Sequence, residues 1–382
     1  MRDALRALVG AAVPALILTA GCTPLASPAI ESGTSRPGAS SSPSAPGKPS
    51  ATRDKPRLVP AAKRWKPGTR QYGLQVYAHT ANGKPADAHL DRILDYAVER
   101  GANSVAFSFP IYTNGQRPTR VYTAKETPSP QVIGKMVAAA HARGLRVMVR
   151  PLLDEQNLAT SSGGWRGTIR PPSLDGWFGS YTKALTPYLQ AAGGAKADEF
   201  VLASELTSLQ KHHDQWKTLA VAAARSFPGT LSYTFNFDMG KPMPLPAKGA
   251  AGIDLYFAVD VGPEASVAQL TAALRRSILA MPKPLRNVMV AQEVGIAAEN
   301  GAYRHPWNWG SQTSAPVNPT IQVNWFKAAC RAVEQTGLKG LYFWMLDSSM
   351  DPTQITPSTE GTAGFVGRPG EKAIEQCFAG TA

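Results

Sequence analysis

The sequence predicts an α/β fold, a (β/α)8 TIM barrel in a single catalytic domain behind a disordered N-terminal tether. From residue 71 onward, short apolar runs alternate with amphipathic helical patterns, which is typical of βαβ units and a parallel sheet. Eight such units within about 310 residues fit a barrel better than an open sheet. In addition, no Gly-x-Gly-x-x-Gly turn follows the first strand, which disfavours a dinucleotide-binding fold.

Eight short apolar segments are the predicted strands, and they cover 72–78, 104–109, 145–150, 199–204, 230–236, 252–259, 286–292 and 339–345. Helices are predicted over 88–100, 129–143, 173–191, 212–226, 265–280, 318–336 and 370–377. Gly101 and Gly144 end the first two helices, as helix-terminating glycines commonly do. The fifth unit is the weakest, because 238–250 is rich in Pro and Gly and its helix is expected to be very short or missing.

The first 21 residues read as a bacterial lipoprotein signal peptide. Arg2 and Arg6 provide positive charge around an apolar stretch over 4–20, which is a targeting segment rather than part of the fold. The stretch ends in TAGC at Cys22, which resembles a lipobox. This resemblance implies that Cys22 is lipidated and anchors the protein to the outer face of the bacterial cell membrane. An ordinary signal peptide with an incidental cysteine is the alternative.

Residues 22–64 are dense in Ser, Pro, Ala and Gly, which predicts a flexible linker, and 65–382 form the predicted barrel domain. Two cysteines remain, Cys330 and Cys377, both in predicted C-terminal helices. An oxidising compartment permits a disulfide between them, but two separately buried thiols fit the sequence equally well. No later stretch is apolar enough to span a bilayer.

The chain is basic, with a formal net charge of +13. The basic residues are scattered and no nucleic-acid motif accompanies them, so we expect no nucleic-acid partner. Proximity to an anionic membrane or wall polymer accounts for the charge more simply. We expect a monomer.

Active sites of TIM barrels lie at the carboxyl ends of the strands, so the polar residues there are the candidates. Glu205 and Glu293 stand out because each ends an apolar strand, in VLASE and VMVAQE. Two such carboxylates can flank a glycosidic bond: one protonates the leaving oxygen, and the other attacks the anomeric carbon or activates water. Structural ion pairs with a partner such as Arg150 are the alternative.

Around these glutamates the sequence resembles clan A of the retaining (β/α)8 glycosidases, and within it glycoside hydrolase family 113, known for β-1,4-mannan hydrolysis. The matching pieces span about 72–347 and are MVRP over 148–151, Asp154, WRG over 165–167, ASEL over 203–206, Tyr256, QEVG over 292–295 and YFW over 342–344. The resemblance implies that Glu205 is the general acid/base and Glu293 the nucleophile. It also implies that Tyr256 hydrogen-bonds the nucleophile and that Trp344 is a sugar platform.

One residue departs from the clan pattern. Much of the clan has Asn before the acid/base, where it binds the sugar 2-hydroxyl, and this chain has Ser204. The shorter side chain puts the identity of the sugar in doubt more than the mechanism.

Five tryptophans lie in or next to loops on the predicted catalytic face: Trp165, Trp177, Trp307, Trp309 and Trp344. Flat aromatic faces suit pyranose rings, whereas burial in the core is the usual alternative. The predicted substrate-binding residues are His79, Arg150, Asp154, Trp165, Ser204, Asn236, Tyr256, Trp307 and Trp344. For His79 and Asn236, local hydrogen bonding explains the residue equally well.

No metal or cofactor is predicted, because hydrolysis by two carboxylates needs neither. The only adjacent histidines, His212 and His213, point about 100° apart if they are helical. The prediction is therefore a retaining glycoside hydrolase acting on a poly- or oligosaccharide. A non-catalytic carbohydrate-binding lipoprotein on a degenerate barrel and a wall-anchored scaffold are the alternatives, since fold alone does not fix function.

Overall fold

The computed structural model describes residues 55–81, 83–154, 158, 164–239, 243–246, 249–308, 315–356 and 362–382. The predicted signal peptide, Cys22 and the predicted linker up to residue 54 lie outside these ranges. The strands are β1 Gln71–Tyr77, β2 Ser104–Thr113, β3 Val121–Tyr122, β4 Arg146–Leu153, β5 Glu199–Ser204, β6 Thr230–Asn236, β7 Ala250–Asp254, β8 Met289–Val294 and β9 Gly340–Asp347.

Eight of these strands form a closed parallel barrel. Each pairs with the next along the chain, β2 pairs directly with β4, and β9 pairs with β1 to close the ring. The short strand β3 lies outside the ring and pairs antiparallel with the end of β2. The predicted TIM barrel is confirmed.

The helices pack around the barrel and are α1 Leu90–Glu99, α2 Pro130–Ala142, α3 Leu174–Gly194, α4 His213–Ala224, α5 Val267–Ala280, α6 Lys283–Arg286, α7 Pro319–Thr336 and α8 Pro369–Phe378. Their ends follow from local sequence. Ser129, Ser173 and Ser266 each accept a backbone N–H bond at the start of α2, α3 and α5, which satisfies a donor that the helix itself cannot. Gly337 ends α7 in the left-handed conformation, with φ of 77°.

Several strand boundaries differ from the predicted ones. The sixth predicted strand, 252–259, is β7 and ends at Asp254, so Tyr256 follows the strand and does not belong to it. The seventh, 286–292, is β8 and begins at Met289 after the short helix α6. The apolar run continues past β7 because the following loop is itself buried, and a buried loop and a buried strand look alike in sequence. Between β6 and β7 the described residues contain no helix, as the Pro- and Gly-rich stretch suggested.

The lower half of the barrel is filled by side chains. Arg146 pairs with Glu199 at 2.6 Å, and Glu199 also accepts hydrogen bonds from Ser232 and Gln292 at 2.7 and 2.9 Å. A small apolar layer accompanies this network, formed by Ala106, Met148, Val201, Val290 and Tyr342. All these residues are buried, so the barrel is a packed core and not a channel.

The segment before β1 covers the amino end of the barrel. The backbone N–H of Val59 donates to the carbonyl of Arg143 at 2.8 Å, and the Val59 side chain is buried. The Trp65 ring lies over the guanidinium of Arg146, 5.0 Å from ring centroid to Cζ, at the start of β4. The last ten residues of the predicted linker, 55–64, are thus described, and they contact the domain.

Cys330 and Cys377 form a disulfide with a Cα–Cα distance of 5.8 Å, which decides between the two alternatives left open by the sequence. The bond joins α7 to α8. In the described ranges no helix is both long and apolar enough to cross a membrane.

Candidate active site

Glu293 lies in β8 and is held on both carboxylate oxygens. Arg150 Nη1 donates to Oε1, and the Tyr256 hydroxyl donates to Oε2 at 2.9 Å. The contact between Tyr256 and Glu293 expected from the resemblance is therefore present. Glu293 is only 5% exposed. Hydrogen bonds from a cation and a phenol hold this buried carboxylate in a fixed position.

Arg150 is fully buried and serves two carboxylates at once. Its Nη2 contacts Asp254 Oδ2 at 2.6 Å while Nη1 contacts Glu293. Burial alone would lower the pKa of Arg150, but Asp254 and Glu293 outweigh it and the pKa is raised. Burial also raises the pKa of Asp254 well above its ordinary value, and the negative charge of Glu293 adds to this shift. Arg150 is therefore a permanent cation shared by two acids.

Glu205 directly follows β5 and has an unusual backbone conformation. Its φ of 57° is left-handed, which costs a non-glycine residue about 1 kcal/mol or more. Its backbone N–H donates to the carbonyl of Thr234 at 3.0 Å, which fixes the turn against β6. This backbone places the carboxylate at the mouth of the barrel, where Oε2 accepts a bond from Arg166 Nη1 at 2.7 Å.

The two glutamates share one electrostatic environment. Glu205 contributes to the raised pKa of Asp254, after burial and Glu293. Tyr256 also has a strongly raised pKa, caused first by burial and then by Glu293, Asp254 and Glu205. The structure thus brings both predicted catalytic carboxylates to one site, each paired with its own arginine.

His79 and Asp154 each have a polar partner and lie near a group of aromatic rings. His79 Nε2 lies 2.9 Å from Asp347 Oδ1, and this bond raises the pKa of the imidazole. The Tyr77 hydroxyl donates to Asp154 at 3.1 Å. Burial, and then the charge of Asp154, raises the pKa of Tyr77. The Tyr77 ring lies 6.1 Å from that of Trp344 and 5.3 Å from that of His79.

The tryptophans considered as sugar-binding residues lie in different environments. Trp165 is half-buried and packs so closely on Gly167 that a Cβ there would lie 2.3 Å from the indole ring. Trp307 is 39% exposed and stacks on Phe237 at 5.2 Å, beyond the ends of β8 and β6. Trp177 is fully buried in α3, so for this residue the core alternative holds. Trp309 lies outside the described residues.

Asn236 and Ser204, two short polar residues at the mouth of the barrel, differ in their hydrogen bonding. Asn236 donates to Asp238 at 2.8 Å and accepts from the backbone N–H of Phe237 at 3.0 Å, so local bonds explain its presence. Ser204 is buried, and its hydroxyl has no hydrogen-bond partner among the residues that the structure describes. A buried hydroxyl without a partner is costly, which makes it available to a ligand.

Three charged residues of the site were not predicted as such: Asp254, Arg166 and Asp347. Asp254 interrupts an apolar run, and an isolated carboxylate in a buried strand is a usable signal. Arg166 was noted only within the motif WRG, because it lies on a loop whose position no periodicity gives. Asp347 ends β9, and its pairing with His79 across the β1–β9 closure is a tertiary contact that no local pattern gives.

Among the described residues, no group of three or more His, Cys, Asp or Glu side chains is arranged to hold a metal ion. Arg150 and Arg166 occupy the positions next to the carboxylates.

A closed (β/α)8 barrel with two buried, arginine-paired glutamates at the carboxyl ends of its fourth and seventh strands defines the class of (β/α)8 glycosidases. Comparison with known proteins agrees. The family model described as Glycoside Hydrolase Family 113 matches residues 74–361. The chain belongs to this family and is a glycoside hydrolase, so its substrate is a polysaccharide or an oligosaccharide.

Solved structures are similar in fold. A structure described as a GH113 β-1,4-mannanase has a TM-score of 0.68 and 17% identity, with 81% of this chain and 99% of that chain covered. The GH113 β-mannanase AaManA from Alicyclobacillus acidocaldarius has a TM-score of 0.64, 20% identity, and coverage of 82% and 98%. The exo-β-1,4-mannosidase Op5Man5 from Opitutaceae bacterium strain TAV5 has a TM-score of 0.52, 15% identity, and coverage of 83% and 61%. No curated protein sequence matches the chain.

Proposed function

We propose that this protein is a retaining glycoside hydrolase that cleaves β-1,4-mannan, or a related mannose-containing or cell-wall polysaccharide, by double displacement. The observation that supports it most is the way in which the structure holds each of the two glutamates. Glu293 is bonded on both oxygens by Arg150 and Tyr256, which suits a nucleophile that must stay ionised. Glu205 projects into the mouth from a turn after β5, which suits an acid/base that faces the leaving group.

The first step forms a covalent intermediate. Glu293 attacks the anomeric carbon while Glu205 protonates the glycosidic oxygen, so the bond to the leaving sugar breaks and an ester to Glu293 forms. In the second step Glu205 accepts a proton from water, which attacks the same carbon and releases Glu293. Two inversions give net retention of configuration.

The proposed substrate is based on family membership and on structural similarity. The two family structures above are described as mannanases, which favours a β-mannan. The aromatic surfaces at the mouth offer platforms for pyranose rings, namely Trp344 with Tyr77 on one side and Trp307 with Phe237 on the other. Ser204 lies one residue before Glu205, and its buried hydroxyl has no hydrogen-bond partner among the described residues. Which substituent the site accepts at the sugar 2-position is therefore a question for the substrate assay.

The test is a product assay on β-mannan, glucomannan, other β-glycans and purified wall polysaccharides. The anomer released is followed by proton NMR in the first minutes, and the proposal expects a β-configured product from a β-mannan. Glu293→Ala should lose turnover on every substrate. Glu205→Ala should lose it least on aryl glycosides whose leaving groups need little protonation.

Azide separates the two roles. It should rescue Glu293→Ala with inverted configuration and Glu205→Ala with retained configuration, because it replaces the nucleophile in one variant and the incoming water in the other. Glu264→Ala, at an exposed glutamate in the loop after β7, is the matched control and should keep full activity. Release of an inverted product by the wild type would rule out Glu293 as nucleophile.

We also propose that the protein acts outside the cytoplasmic membrane, anchored to its outer face through lipidated Cys22. The sequence motif supports this proposal, and the disulfide is compatible with an oxidising compartment. Cys22→Ala should release the protein into the medium or leave it unprocessed. Normal processing and membrane partition of that variant would show that the anchor lies elsewhere.

A further inference from the structure

Arg166 forms an ion pair with Glu205 that the sequence did not predict. Its Nη1 lies 2.7 Å from Glu205 Oε2, and its Nε donates to the carbonyl of Leu153 at 2.9 Å. The guanidinium is therefore fixed between the end of β4 and the carboxylate. Both side chains are largely buried, with 14% of Arg166 and 10% of Glu205 exposed. At this burial an ion pair is screened far less than on the surface.

We propose that Arg166 is a positioning residue that provides the counter-charge for Glu205 whenever this carboxylate is ionised during the reaction cycle. The proposal rests on the proposed function, since it takes Glu205 as the acid/base. It goes beyond that function because it proposes that Arg166, which lies on a loop outside the barrel strands, controls the pKa of Glu205.

The charge balance of the cycle explains why a second arginine is needed. Among the described residues, the charged or titratable groups that interact with Glu205 include Arg166 from the loop after β4, Arg150 from β4, Asp254 from β7 and Tyr256 from the following loop. Glu293 from β8 shares Arg150 and Tyr256 with this group. In the free enzyme the negative charge resides on Glu293, next to Arg150. After the first step Glu293 is a neutral ester and the charge resides on Glu205, next to Arg166.

Removal of Arg166 should therefore displace the two limbs of the pH profiles that report the ionisation of Glu205. An adjacent positive charge typically lowers the pKa of a carboxyl group by about one to three units. In Arg166→Gln the basic limb of kcat/KM, which requires protonated Glu205, should move up by about one unit. The acid limb of kcat on 2,4-dinitrophenyl β-mannoside, where the second step is limiting and needs ionised Glu205, should move up with it. A purely structural defect lowers both rates without moving either limb.

The experiment compares Arg166→Gln, Arg166→Lys and the wild type, with circular dichroism to verify folding. Arg166→Lys retains the cation and should keep the limbs close to the wild-type positions. Arg304→Gln is the matched control, because Arg304 pairs with Asp260 at 2.6 Å at an exposed site and should shift neither limb. Coincident limbs for Arg166→Gln and the wild type would overturn the proposal.

A second readout does not depend on turnover. The titration of Glu205 is followed by carbon NMR on protein labelled at the glutamate carboxyl carbon and is assigned by its loss in Glu205→Gln. Arg166→Gln should raise the midpoint by about one unit. If the midpoint moves but no glycan is cleaved, the counter-charge of Arg166 is established and the proposed function fails. If glycans are cleaved but the midpoint does not move, the proposed function stands and the role of Arg166 is refuted.

Discussion

Arg150→Met tests the charge arrangement at the centre of the site. Arg150 is fully buried and contacts both Asp254 and Glu293, so the substitution leaves two buried carboxylates without their cation. Methionine approximates the length of the aliphatic part, so the main change is electrostatic. We expect a large loss of stability at pH 8 together with loss of turnover.

The magnitude follows from the burial. Removing one partner of a buried ion pair costs about 3–5 kcal/mol, because the remaining charge is uncompensated. The unfolding entropy of a domain of about 330 residues is roughly 0.7 kcal/mol per kelvin, so the midpoint of thermal unfolding should fall by about 4–7 °C.

The pH dependence has a definite sign. Burial already raises the pKa of Asp254 in the folded protein, so its folded form takes up a proton more readily than its unfolded form. A raised folded pKa gives stability that is present at low pH and is lost as pH rises through that pKa. In Arg150→Met this pKa rises further, because the cation that opposed the shift is gone. The deficit relative to wild type should therefore be smaller at pH 5 than at pH 8.

Differential scanning calorimetry at both pH values measures the effect. Arg146→Met is the matched control, since Arg146 lies on the same strand and also pairs with a buried carboxylate, Glu199 at 2.6 Å. It should lose similar stability but keep the turnover of each folded molecule. If Arg150→Met unfolds within one degree of wild type at pH 8 while the control is destabilised, the assigned charge balance is wrong.

Three further predictions concern other parts of the molecule. Tyr256→Phe removes one hydrogen bond to Glu293, the proposed nucleophile, worth about 1.5–3 kcal/mol, so kcat/KM should fall roughly 10- to 150-fold with little change in thermal stability; an unchanged value would refute the role of this bond. Reduction of the Cys330–Cys377 disulfide, which spans a sequence separation of 47, should destabilise the fold by about 4 kcal/mol, measured by denaturant unfolding with and without reductant. Trp307→Ala should raise KM for long manno-oligosaccharides and leave the shortest ones unaffected, because its exposed ring lies beyond the ends of the strands; equal effects at all lengths would argue against a distal sugar contact.

The barrel and the two glutamates could be predicted from the sequence because both follow from the hydrophobic pattern. Alternating strands and helices gave the eight units, and Glu205 and Glu293 were found because each ends an apolar run. The strand limits at β7 and β8 were less accessible. Leu255 and Tyr256 are as buried as strand residues although they belong to a loop, and burial is all that a hydrophobic pattern reports.

The partners of the site depend on tertiary contacts that no local pattern encodes. Arg166 reaches Glu205 across 39 positions, and His79 meets Asp347 across 268. The disulfide partners could be named but not paired, since their closeness depends on how α8 returns to α7. The sequence therefore predicted the two glutamates, and the structure showed the arginines that pair with them.

The described chain enters the barrel at the end that lies away from the candidate site. Val59 and Trp65 bind the amino ends of the strands, whereas Glu205 and Glu293 open at the carboxyl ends. The point of entry and the cleft are therefore at opposite poles of the domain. A long glycan can therefore approach the two glutamates from the pole opposite to the one at which residues 55–65 pack on the barrel.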